Sequence, residues 1–199
     1  MSLDPEEIII VSGMPRSGTS LMMRMLALGG IPVLTDNCRP ADSDNPHGYF
    51  EYEPVKRLQH DASWLPRARG RAVKIVAPLL AYLPEDARRR IIWMERSLDE
   101  IMLSQQAMLR RSGQPAPPQE LVRKALARQA TQILQRLHAD SRSSADPRSS
   151  VVAIDFRRVI DDPHETASRL CEYLNFELDV ESMATAVDPT LYRQRTSGQ

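Results

Sequence analysis

The stretch Ile8–Ile9–Ile10–Val11–Ser12–Gly13–Met14–Pro15–Arg16–Ser17–Gly18–Thr19–Ser20 decides the fold. Ile8–Val11 is a continuous apolar run, the pattern of a parallel strand covered on both faces. Gly13 and Gly18 bracket a tight loop. Leu21, Met22, Met25, Leu26 and Leu28 then recur at helical spacing until Gly29–Gly30 stops the helix. Strand, glycine-bounded loop and helix in this order set backbone N–H groups around an anion at the helix N-terminus, where the macrodipole adds to the attraction. The form of this loop that grips a nucleoside triphosphate carries lysine directly after its second glycine. Here Thr19 and Ser20 follow Gly18, and the cation is Arg16. The loop therefore predicts that Arg16, Ser17, Gly18, Thr19 and Ser20 bind phosphate or sulfonate, with the Arg16 guanidinium adding a forked contact. It lacks the lysine that reaches the β- and γ-phosphates of ATP.

Working outward, the chain alternates strand and helix. Ile31–Leu34 reads as a short strand and Thr35–Gly48 as a long polar loop of the kind that carries function. Pro54 opens a helix from Glu53 to about Ala62. Ala72–Val76 and Arg90–Met94 are strands, with a short helix over Pro78–Leu83 between them. Ser97 with Glu100 forms a capping box for a helix whose apolar side is Leu98, Ile101, Met102 and Met108. After the proline-rich break Gly113–Pro118, residues Glu120–His138 form an amphipathic helix. A Ser/Arg/Pro-rich connection, Asp140–Ser150, leads to the strand Val151–Ile154, and Pro163 opens a last helix through Leu174. The expected architecture is one α/β domain over residues 1–199: a P-loop-type parallel sheet flanked by helices in a three-layer sandwich. Ligands of such sheets lie at the carboxyl ends of the strands, so the loops after Val11, Val76, Met94 and Ile154 share one rim.

Composition narrows the partners. The 199 residues carry 26 Lys and Arg against 26 Asp and Glu, so neither a nucleic-acid wrapper nor an acidic tail is expected. Mean hydropathy is −0.39, and no apolar run approaches the roughly 20 residues of a membrane span. The acidic start, Met1–Glu7, lacks the layout of a signal peptide. Cys38 and Cys171 read as reduced thiols, which with the missing leader gives a cytoplasmic expectation. His138 and His164 have no ligand-like spacing to any partner, so no metal is expected.

A second constellation is Met94–Glu95–Arg96–Ser97 with Ser104 eight residues after Arg96. Arg96 directly follows a buried strand and falls on the predicted rim. Ser104 lies two helical turns further on, so the pair can hold a second phosphate. Taken together, Pro15–Arg16–Ser17–Gly18–Thr19 and Arg96/Ser104 resemble the sulfotransferases that use 3′-phosphoadenosine 5′-phosphosulfate (PAPS). In that family a Pro-Lys/Arg-Ser-Gly-Thr loop holds the 5′-phosphosulfate, and an Arg with a Ser eight residues later holds the 3′-phosphate. The strand, turn and helix from Val151 to Leu174, with Asp161–Asp162–Pro163, look like the family's C-terminal segment. The resemblance implies PAPS as donor, its desulfonated product PAP, and a small-molecule or glycan acceptor. The tail residues Arg193 and Arg195 can close over the nucleotide's phosphate.

One departure stands out. Cytosolic members carry a catalytic His in a Lys-Thr-His-Leu-Pro segment, and here Lys74–Ile75–Val76–Ala77–Pro78 puts valine at that position. Valine takes no proton. The segment Asn45–Pro46–His47–Gly48–Tyr49–Phe50–Glu51 looks like one found in bacterial sulfotransferase-like proteins, and Glu51 is the first candidate for the base. His47 follows, then His60 or Asp61. Asp155 reads as structural or as part of the acceptor rim. Two alternatives stay open: a small-molecule P-loop kinase, with Arg16 replacing the lysine and Asp155 holding Mg²⁺, and a non-catalytic nucleotide-binding module.

Overall fold

The computed structural model describes residues 4–42, 45–111, 113, 118–143 and 149–193. Four strands, β1 (Ile8–Gly13), β2 (Ala72–Lys74), β3 (Arg89–Glu95) and β4 (Ser149–Asp155), form a parallel sheet in the order β2-β1-β3-β4. The register pairs Ile9 with Ala72, Ile10 with Ile91 and Trp93 with Ala153. Every residue of β1 is buried, as a strand with a neighbour on each side and a layer on each face must be.

Among the described residues six α-helices accompany the sheet: α1 (Thr19–Leu28), α2 (Leu98–Arg111), α3 (Gln119–Ser143), α4 (Phe156–Asp161), α5 (Pro163–Leu174) and α6 (Val180–Ala184). Strand side chains alternate between two cores. Ile9, Val11, Ile92, Met94 and Ile154 pack with α1, α5 and Met183 of α6 on one face. Ile8, Ile10, Val73, Ile75, Ile91 and Trp93 pack with Ile101 of α2, Leu137 of α3 and the short helical turns on the other. The result is the expected α/β architecture in three layers. No described helix is long and apolar enough to cross a membrane.

Local chemistry explains where the elements differ from expectation. Ile31–Leu34 is not a strand but a single bridge, Val33 to Ala72. Leu34 N–H donates to Ala72 O and Ala72 N–H to Pro32 O, each at 2.8 Å. Pro32 has no N–H to continue the ladder. The helix expected from Glu53 to about Ala62 is a 3₁₀ helix over Glu53–Arg57. Its buried residue is Val55, and Leu58, which follows the helix and is also buried, donates its N–H to Val55 O at 3.1 Å, the i to i+3 bond of a 3₁₀ turn. The turn after β2, expected over Pro78–Leu83, is likewise a 3₁₀ helix over Ala77–Tyr82. The connection expected from Asp140 is shorter than read: α3 continues to Ser143 and β4 begins at Ser149.

Sequence reading missed α4 and α6, which are short and begin on Asp caps. The Asp155 carboxylate accepts from Arg158 N–H, and the Asp179 carboxylate from Ser182 N–H, both at 2.9 Å. Asp155 is therefore structural. Asp162 caps α5 in the same way, with Pro163 at its first turn. The triplet Arg88–Arg89–Arg90 is no solvated face. Arg88 pairs with Asp4 and Arg90 with Glu7, and buried Arg89 donates to Pro84 O.

Candidate functional site

The loop between β1 and α1 is built around two residues with positive φ. Gly18, at φ 99°, is the N-cap of α1. A Cβ there would stand 2.3 Å from the Phe156 ring, so only glycine lets α4 close against the loop. Arg16 adopts φ 71°, a left-handed conformation that costs a non-glycine residue on the order of 1 kcal/mol or more and is found disproportionately at functional sites. Ser17 N–H closes the turn on Met14 O, and Met22 N–H makes the first helical bond to Gly18 O, both at 3.1 Å. The N–H groups of residues 18–21, in the first turn of α1, keep the positive end of the helix toward the cavity that Gly18, Thr19, Ser20 and Leu21 line.

Ser17 stands apart from this group. Its hydroxyl is fully enclosed behind the loop, and its N–H is spent on the turn. It is not among the residues facing the cavity. The Ser20 hydroxyl donates to Tyr49 O at 3.3 Å, which ties the start of α1 to the loop before Glu51.

Arg96 leaves the end of β3 and is held from several sides. Its Nε donates to Glu100 Oε2 at 3.0 Å and its Nη1 to Arg16 O at 3.0 Å. Its guanidinium lies 4.3 Å from the centre of the Phe156 ring and 5.4 Å from that of Tyr192. Glu100, expected to close a capping box, sends its carboxylate to Arg96 and to the Tyr192 hydroxyl. The Arg96 and Glu100 side chains are 9% and 6% exposed, so each charge depends on the other for its solvation. Ser104, one turn beyond Glu100 on α2, accepts from Arg16 Nε at 2.9 Å.

These residues face one cavity of about 400 Å³ at the carboxyl ends of the strands, a volume suited to a nucleotide-sized ligand. Its walls bring together Arg16, Gly18, Thr19, Ser20, Arg96, Ser104 and Arg193 with Glu51 and His47. Arg195 lies outside the described residues. His60 and Asp61 are not part of the walls; His60 contacts Gln59, and Asp61 receives Ser63 N–H. Arg24, Arg39, Lys74 and Arg111 join Arg16, Arg96 and Arg193 in the lining, while Glu51 and Asp188 are its carboxylates. A chain of zero net charge thus concentrates cations around a single cavity, as a polyanionic ligand demands.

The loop expected to be functional, from Thr35 onward, folds over the cavity as a hydrogen-bonded flap. The Tyr49 hydroxyl donates to Asp42, with both carboxylate oxygens within 2.8 Å. Burial first, and then Asp42, pushes the Tyr49 phenol above its usual range. Phe50 has φ 51°, and Glu51 O accepts from Thr35 Oγ1 at 2.9 Å. Glu51 and Val76, the latter standing where a histidine was looked for, both line the cavity.

Sequence reasoning missed Lys74 as a site residue. It ends β2, its side chain is 7% exposed, and its ammonium donates to Tyr49 O and sits 3.5 Å from Glu51 Oε1. Burial pulls the amine down to about 8, against the opposing pull of Glu51. The signal was present: Lys74 is the one charged residue in the run Ala72–Ala77. Arg39, another missed residue, reaches the same Glu51 oxygen at 2.9 Å and stacks on Tyr49 with its guanidinium carbon 3.3 Å from the ring centre.

The sulfotransferase domain of the Synechococcus PCC 7002 olefin synthase superposes on 98% of this chain and 90% of its own, with TM-score 0.57 at 18% identity. The fold is a sulfotransferase fold. Sulfotransferase STF9 from Mycobacterium avium covers 92% of this chain and 67% of its own, with TM-score 0.56 at 15% identity. The sulfotransferase domain from the curacin biosynthetic pathway covers 97% and 93%, with TM-score 0.51 at 14% identity. No protein-family model and no curated protein matches the sequence itself. Identities this low establish shared architecture, and the cavity must be read from its own residues.

Proposed function

We propose that this protein transfers a sulfuryl group from PAPS to a hydroxyl or amine acceptor. The observation that carries the reading is the meeting, in one cationic cavity, of a lysine-free phosphate loop with the Arg96/Ser104 pair and an acceptor-side carboxylate. The donor's chemistry is an activated sulfuryl group on a phosphate leaving group. The cavity fits such a donor: the first turn of α1 offers its N–H groups, and the surplus of cations matches a polyanion.

In this reading Arg16 and the amides of residues 18–20 stabilise charge developing on the bridging and sulfuryl oxygens. Arg96, Ser104 and Arg193 fix the 3′-phosphate and thereby the register of the reacting bond. The acceptor attacks sulfur in line with the leaving phosphate, a new S–O or S–N bond forms as the bridging S–O bond breaks, and Glu51 takes the acceptor's proton. Glu51 Oε1 is engaged by Arg39 and Lys74, which leaves Oε2 as the accepting atom. His47, on the same wall, is the second candidate.

Incubation with ³⁵S-labelled PAPS and a panel of simple phenols, amines and sugars tests the reading. Label should move to at least one acceptor class, and Glu51→Gln should reduce that transfer by about 100-fold or more. Full transfer by Glu51→Gln would remove the base assignment. Transfer of γ-phosphate from ATP–Mg²⁺, with none of the sulfuryl group, would favour the kinase reading.

A further inference from the structure

Two cations from separate elements converge on a single oxygen of Glu51. Arg39 Nη1 approaches Oε1 at 2.9 Å from within the flap, and Lys74 Nζ approaches the same oxygen at 3.5 Å from the end of β2. Both are anchored elsewhere. The Lys74 ammonium also donates to Tyr49 O, and the Arg39 guanidinium lies flat on the Tyr49 ring. Tyr49 is in turn tied to Asp42 through its hydroxyl and to Ser20 through its carbonyl. Oε2 has no partner among the described residues, and the Glu51 side chain is 22% exposed on the cavity wall.

We infer that Arg39 and Lys74 are positioning residues, a two-cation clamp that holds Glu51 by Oε1 and presents Oε2 to the acceptor. The inference rests on Glu51 being the base, and it extends that reading to residues outside the donor cradle. A carboxylate on an extended loop rotates about its side-chain bonds, and a general base must stay within hydrogen-bond reach of the proton it takes. One cation would leave the carboxylate free to swing about a single contact. Two cations approaching from different elements remove that freedom. The arrangement also links the base to the donor loop, because Ser20 and Lys74 donate to the same carbonyl, Tyr49 O.

The charged groups facing Glu51 are Arg39 and Lys74, with Lys56 further off and paired to Glu53. Loss of a clamp that positions the base lowers turnover without weakening donor binding, a split that a merely structural role does not produce.

The test is kcat for transfer from PAPS to the best phenol of the panel, measured beside PAP affinity, in Arg39→Gln, Lys74→Met, Arg39→Lys and Lys74→Arg. Arg39 is 44% exposed, so Arg39→Gln leaves the fold intact and keeps the test valid should Lys74→Met fold poorly. The expected result is a kcat about tenfold or more lower in Arg39→Gln and Lys74→Met. PAP affinity should stay within about twofold, and Arg39→Lys and Lys74→Arg should restore kcat. Unchanged kcat in Arg39→Gln and in folded Lys74→Met, with Glu51→Gln inactive, would overturn the clamp while leaving the base in place. An active Glu51→Gln would instead overturn the reading on which the clamp rests.

Discussion

Arg16 and Ser104 are 88 residues apart in the chain and hydrogen-bonded to each other, Nε to Oγ at 2.9 Å. In the functional reading they belong to opposite ends of the donor, Arg16 at the 5′-phosphosulfate and Ser104 at the 3′-phosphate. On that reading a bound donor exchanges the Arg16–Ser104 bond for bonds to its own ionised groups, Arg16 to the phosphosulfate and Ser104 to the 3′-phosphate.

Ser104→Ala removes one such bond without disturbing the Arg96–Glu100 pair. It should weaken PAP binding by about tenfold, the value of a hydrogen bond to a charged group, and leave adenosine 5′-phosphosulfate binding within about twofold. Calorimetry with both ligands checks this. Equal weakening of the two would detach Ser104 from the 3′-phosphate.

Gly18→Ala should be damaging out of proportion to one methyl group. The new Cβ meets the Phe156 ring at 2.3 Å, and φ 99° is strained for any side chain. A stability loss of about 1–3 kcal/mol is expected, together with loss of PAP binding. Urea unfolding and calorimetry on the same sample read both. A variant as stable as the parent would show that α4 does not close on the loop as described.

Glu100→Ala should cost about 3 kcal/mol or more, because it leaves the nearly enclosed Arg96 without its carboxylate. Denaturant unfolding measures it. A change below about 0.5 kcal/mol would mean that Arg96 is solvated by other groups.

Lys74 gives a pH signature. Its amine titrates at about 8 in the folded protein, below the 10.5 of an unperturbed lysine, so the unfolded chain holds more protons between these values. Stability contributed by this residue therefore rises as pH climbs from about 8 toward 10.5, and below pH 8 the folded state bears the full cost of a buried charge, about 3 kcal/mol. Tyr173, raised to about 12, acts with the opposite sign only above pH 10, where its unfolded form begins to ionise. Thermal melts between pH 7.5 and 9.5 should show the parent gaining stability relative to Lys74→Met. A constant difference across that window would contradict the burial assigned to Lys74.

The fold was legible where one local pattern dictated one outcome. The apolar run Ile8–Val11, the flanking glycines and the periodicity from Leu21 specified β1, the loop and α1 with little help from the rest of the chain. The Arg96/Ser104 pair stood out only beside the loop motif, through the resemblance that the two carry together; Arg96 directly follows β3 and Ser104 lies within α2. The misread elements are those that tertiary contacts decide. Pro32 stops a ladder that Ile31–Leu34 would otherwise extend, and the α-helix expected from Glu53 is a 3₁₀ turn ending at Arg57. Glu100 looked like a capping residue because three-residue spacing to Ser97 permits that, but its carboxylate goes to Arg96 and to Tyr192, which lies 92 residues away. Lys74, marked in sequence only as the lone charge in an apolar run, was missed for a related reason: its significance depends on contacts with Glu51 and Tyr49 from a separate loop.

The central claim is that this cavity takes a sulfonated nucleotide rather than a nucleoside triphosphate, and side-by-side calorimetry with PAP and ATP–Mg²⁺ tests it most directly. The account predicts that PAP binds at micromolar concentration with or without Mg²⁺, and that ATP–Mg²⁺ binds at least about 100-fold more weakly, about 2.7 kcal/mol. Tight, Mg²⁺-dependent ATP binding with no detectable PAP binding would contradict it.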